Sequence, residues 1–148
     1  MADTTQTIVN FDGMRRYDVT LTGICDGTGE ADATKVDINP MTVHDGITSI
    51  DHPVTQLVVE RIEWVVQGYT RIELTWDTSE DNFIAVIPGG GRDTNALTTG
   101  ASAGCFEYGD VGLVDPSGEG GSIVMNTFGN VSGDTYQIRL CLRKKYSL

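Results

Sequence analysis

Residues 58–75 read VVERIEWVVQGYTRIELT, two runs of apolar and polar alternation joined by a turn at Gly68. Ile62, Trp64 and Val66 share one side of the first run. Ile72, Leu74 and, one step beyond, Trp76 share one side of the second. Successive side chains of a strand point to opposite faces, so these six bury together if the segment is a β-hairpin with one face on a core. The alternation returns near the end of the chain, where Tyr136, Ile138, Leu140 and Leu142 alternate with Gln137, Arg139, Cys141 and Arg143. Working outward, residues 15–24 set Tyr17, Val19 and Leu21 against Asp18, Thr20 and Thr22, a further strand.

Between these runs the chain is punctuated by turn residues. Asp26-Gly27-Thr28-Gly29 is a turn, and residues 34–39 form a short strand around Val36 and Ile38, with Asp37 inside it, stopped by Asn39-Pro40. Residues 41–55 read as a long polar connection. Ser79-Glu80-Asp81-Asn82 turns the chain into a strand over 83–87, and Pro88-Gly89-Gly90-Gly91 opens a second long loop through Gly104. Short pieces at 105–108 and 111–114 precede strands at 122–128 and 135–144. Residues 1–14 are mostly polar and form an arm or short edge strand. No segment carries a helical period or a repeat. The expectation is an all-β protein: one antiparallel β-sandwich or jelly roll of about eight strands over 15–148, with an arm over 1–14.

At 148 residues a single core suffices, burying roughly 68–70% of the unfolded surface. The net charge of −11 opposes non-specific binding to nucleic acid, which draws its affinity from cations, and favours solubility. Cys25, Cys105 and Cys141 are an odd set without close spacing, which argues for reduced thiols in a reducing cytosol. The opening MADTTQTIVN has neither a basic start nor an apolar stretch, so no secretory signal is expected. No run approaches the roughly 18 apolar residues of a spanning helix, and no membrane association is expected.

Several clusters invite a chemical reading. His44, Asp45, Asp51 and His52 are ligand types for zinc, and Asp26, Glu30, Asp32 and Asp37 for calcium, but neither set has a recognised spacing. Both are read as solvated polar residues. Gly89-Gly90-Gly91-Arg92 has the glycine of a phosphate loop, but Asp93-Thr94 stands where Lys-Ser/Thr is required. Ser102 lies in a small-residue loop, Gly100 to Gly104, without a nucleophile elbow. Glu60, on the Ile62/Trp64 face, and Glu63 and Glu73, on the opposite faces, are read as solvent-facing acids rather than a glycosidase pair. Trp64 and Trp76 belong to the core. A glycan-stacking role would fall to Tyr69, Tyr108 and Tyr146. Arg139, Arg143, Lys144 and Lys145, with Arg15 and Arg16 nearby, read as charge guarding an edge strand, or as a docking patch for an acidic partner. No catalytic, cofactor-binding or metal residue is assigned, no cofactor is expected, and a hydrolase has the least support.

Three stretches form an ordered set: Asp26-Gly27-Thr28-Gly29-Glu30 with Thr34-Lys35-Val36-Asp37; Ile62-Glu63-Trp64 with Gly68 and Trp76; and Ser132-Gly133-Asp134-Thr135-Tyr136 with Arg143-Lys144-Lys145. This set resembles small virion structural proteins of tailed bacteriophages, the group that includes head decoration or cement proteins. The likeness runs from about residue 15 to the end of the chain. It implies a β-sandwich on the capsid surface, bridging major capsid protein subunits, as a homo-oligomer with a trimer fitting a three-fold site. It implies no catalytic residue, and the arm at 1–14 is the expected reach onto a neighbour. A neck, tail or fibre-associated virion protein and a carbohydrate-binding β-sandwich are the alternatives.

Overall fold

The computed structural model describes residues 3–47, 50–80, 82–91 and 100–147. Alternation becomes strand wherever one side of the chain is apolar. In chain order the strands are β1 (Thr4–Asp12), β2 (Arg16–Ile24), β3 (Ala33–Val36), β4 (Thr42–His44), β5 (Asp51–Pro53) and β6 (Gln56–Gln67). They continue with β7 (Arg71–Asp77), β8 (Phe83–Pro88), β9 (Ala101–Glu107), β10 (Ser122–Phe128) and β11 (Thr135–Lys145). Among the described residues there is no helix, and so none long and apolar enough to cross a membrane.

The strands form an antiparallel five-stranded sheet in the order β1-β2-β11-β6-β9, facing a four-stranded sheet in the order β3-β10-β7-β8. The pairs nest around one hairpin: β7 with β8, β6 with β9, β3 with β10, and β2 with β11. Rolling that nested ribbon brings β11 against β6 and β10 against β7, which closes an eight-stranded jelly roll. The expected count of about eight strands therefore describes the roll. The remaining three come from segments read as arm and loop: β1 flanks the roll, and β4 pairs with β5 inside the connection at 41–55.

The core lies between the sheets and contains the residues picked out by alternation except Tyr17, which is partly buried and packs against it. Ile62, Val66, Ile72, Leu74 and Trp76 are fully enclosed, Trp64 nearly so, and Tyr136, Ile138, Leu140 and Leu142 join them. The hairpin expected over 58–75 does not form, however. β6 belongs to one sheet and β7 to the other, so Gly68 is a corner between layers and the two apolar faces look at each other across the core. Gly68 adopts φ +94°, a conformation that side chains disfavour.

Two further expectations change with the topology. β11 is an interior strand between β2 and β6, so its charges guard no edge. Glu60 is the extra residue of a β-bulge, since Val59 pairs with Leu142 and Arg61 with Cys141. The bulge turns Glu60 off the Ile62/Trp64 face, where it meets Arg143. Asp37 follows β3 instead of lying within it, and Ser102 sits on β9 instead of in a loop.

Candidate functional site

The edge strand β1 is the most distinctive surface. It pairs with β2 from Thr4↔Ile24 to Asp12↔Tyr17, so of the two forms expected for this segment the structure has the edge strand. It stands one strand beyond the roll, and all nine of its residues are exposed. Ile8, Val9, Phe11 and, just past the strand, Met14 are 40, 49, 57 and 62% exposed. Among the described residues, its outer backbone edge carries no strand. Asn10 is a bulged residue whose amide donates to Asp18 Oδ1 at 3.0 Å and to Thr20 Oγ1 at 2.7 Å, leaving Thr4 to Val9 as an uninterrupted edge. Beside it, Thr4, Gln6, Thr22, Ile24, Val65, Thr135 and Gln137 line an uncharged trough of about 430 Å3.

The basic end is neutralised inside the sheet. Arg139 Nε donates to Asp18 Oδ1 at 3.0 Å, and its Nη1 lies 3.7 Å from Glu63. Arg143 reaches Glu60 at 3.1 Å and the Asp110 carbonyl at 3.0 Å. Lys144 is buried, with Asp12 and the carbonyls of Gly13 and Thr42 around its ammonium. Lys145, Arg15 and Arg16 remain at the surface. Asp18 is held below the ordinary aspartate range by the Arg139 hydrogen bond, with burial opposing and Asn10 assisting.

The loop clusters resolve into separate pairs. His44 Nδ1 lies 3.3 Å from Asp51 and His52 Nε2 lies 3.1 Å from Asp45, on the β4–β5 hairpin. Among the described residues each imidazole contacts a different carboxylate, so the four groups form two separate imidazole–carboxylate contacts. Asp26 closes a turn by accepting from the Thr28 N–H at 3.0 Å. Glu30 pairs with Lys35 and accepts the Tyr136 hydroxyl at 2.7 Å. Asp32 meets Asn126, and Asp37 accepts from the Asn39 N–H. The four acids lead apart rather than converging.

Glu63 pairs with Arg61 and Glu73 with Arg71, each at 2.8 Å. Ser102 Oγ accepts the Trp64 indole N–H at 3.2 Å. Gly91 folds back onto the Tyr69 carbonyl, and Arg92 lies outside the described residues with the rest of 92–99.

Of the three tyrosines considered as stacking surfaces, one is enclosed and two are half-buried. Tyr69 is fully buried. Tyr108 packs at the margin of the core, and Tyr146 stacks on His52 with centroids 4.6 Å apart. Burial pushes the Tyr69 phenol up, and the neighbouring Cys25, Asp3 and Glu30 add to the shift. One grouping was missed in the sequence. Asp3, Cys25 and Asp26 bring their ligand atoms within 4.8 Å of one another. Asp3 is distant in sequence from the other two, and only the β1–β2 register brings it there.

No family model matches the chain, and no curated protein matches it. Among solved structures, one described as "CBM4 structure and function" is similar at 7% identity and a TM-score of 0.31, covering 95% of this chain and 94% of its own. That likeness bears on no residue's role.

Proposed function

We propose that this chain is a non-enzymatic structural subunit of a tailed-bacteriophage virion, a head decoration protein that binds the assembled major capsid protein. The observation that carries the proposal is β1: nine residues exposed on both faces, with a free backbone edge and uncovered apolar side chains. Beyond its ladder to β2, β1 is tied down near its ends by Asp3 and Asp12, and its uncovered middle gains most from an added strand on its open side. β-augmentation supplies that, with main-chain hydrogen bonds for affinity and alternate side chains for specificity. A protein that binds only the assembled shell stabilises it by mass action, and many copies on a lattice add effective-concentration gains. The ordered set of turns and strand cores noted in the sequence supports the virion setting. The basic end lends less support, because Arg139, Arg143 and Lys144 are paired within the sheet while Lys145, Arg15 and Arg16 remain at the surface.

The test is imaging of purified particles carrying the protein or lacking it, with Ile8→Lys as the variant. The substitution touches no core residue and puts a charge on the docking edge. Density at hundreds of surface positions, lost with Ile8→Lys while circular dichroism is unchanged, is the expected result. Undiminished binding by the variant would remove β1 from the proposal. A handful of copies per particle would move the protein to the neck or tail.

A further inference from the structure

β9 closes the five-stranded sheet on the side away from β1, and among the described residues its outer edge carries no strand. The hydrogen bonds that bracket its ladder run from the Tyr108 N–H to the Glu60 carbonyl and from the Gly68 N–H to the Gly100 carbonyl. In this register the even positions of β9 bond to β6. The odd ones, Ala101, Ala103, Cys105 and Glu107, turn their N–H and C=O groups outward.

The other sheet edges are interrupted. β1 breaks its register at Asn10, and β8 pairs with β7 across a register shift and ends on Pro88. β3 is four residues long and has a register shift of its own. Such interruptions shorten the run open to pairing. β9 keeps one register for seven residues, holds no proline or lysine, and carries charge only at its last residue. Charge sets what can approach it. On a chain of net charge −11, two copies repel except where both present uncharged surface, and residues 101–106 are such a strip. The strand is also self-complementary. Turned about a two-fold axis at Gly104, each copy's Ala103 falls opposite the other's Cys105, and each Ala101 opposite the other's Glu107. No like charges then meet, and outward backbone groups face outward backbone groups.

We propose that β9 is a self-association edge, on which two copies of this chain pair antiparallel across a two-fold axis at Gly104. The closed pair does not grow further and leaves both β1 edges open at the ends of the joined sheet. One seven-residue strand a side is short of the roughly 20–30 residues of a stable interface, so the dimer is reversible and depends on concentration. It uses no part of β1 and does not rest on the virion reading.

The experiment is sedimentation velocity on the full chain at rising concentration under reducing conditions. A monomer–dimer equilibrium is expected, weakened at least about tenfold by Ala103→Asp, which sets like charges beside the axis. Ala103 is exposed, so unchanged circular dichroism should accompany the loss. Ile8→Lys, on β1, should leave the dimer as it was. A second measurement reads the register. A chain with Ala103→Cys and Cys105→Ser is mixed with the parent chain and oxidised. Cα atoms of a hydrogen-bonded antiparallel pair lie about 5.5 Å apart, within disulfide range, so a mixed disulfide joining positions 103 and 105 is expected in a peptide map. A monomer at every concentration, a dimer that survives Ala103→Asp or is lost with Ile8→Lys, growth beyond the dimer, or absence of the mixed disulfide overturns the proposal.

Discussion

Trp76 shows how far a single residue can be read. Its place in the alternation assigned it to the core, where it is fully enclosed. Trp76→Ala should cost about 3–5 kcal/mol, measured as a lowered urea midpoint, because the cavity between two sheets cannot collapse. Glu60 and Tyr69 were misplaced by the same reasoning. The bulge shifts Glu60 by one position in phase, and Tyr69 follows the corner glycine, where alternation no longer applies. Asp18 and Arg139 pair across neighbouring strands, which no local pattern announces. The depressed Asp18 carboxyl contributes stability that is fully present above the ordinary aspartate range and is lost as pH falls through the folded value. Arg139→Met should therefore lower stability at neutral pH and flatten the acid limb of a plot of melting temperature against pH, with the two proteins converging at the acid end.

At the scale of elements, strand existence was legible and strand partnership was not. The runs at 58–67 and 71–76 were each recognisable, but whether they lie edge to edge or face to face turns on the three-residue corner between them, Gly68 to Thr70. Gly68→Ala puts a side chain at φ +94°, and the expected cost is about 1–3 kcal/mol, read from chemical unfolding, with the β-sheet circular dichroism retained. β11 looked like an edge because it is rich in cations. Three of those cations meet individual carboxylates instead: Arg139 meets Asp18 on β2, Arg143 meets Glu60 on β6, and Lys144 meets Asp12 on β1. The connection at 41–55 hid a two-stranded hairpin whose strands of three residues are too short to show a period. β1 displays little alternation because neither of its faces is covered, and so its sequence carries no inward-facing pattern to detect.

At the scale of the whole molecule, the nested pairing of strands around β7 and β8 makes the jelly roll and leaves β1 outside it. The proposed docking edge follows from that outlying position, because it needs β1 uncovered. The sequence by itself determined the all-β class, the identity of most core side chains, the turn positions and the acidic balance. Each of these is local or additive along the chain. Only the tertiary structure decided which strands pair, which charges are spent in ion pairs, which tyrosines are enclosed, and that Asp3 reaches Cys25. Those outcomes depend on closing long loops between distant segments, and the period-two pattern that sends a side chain inward is the same whichever neighbour its strand finds.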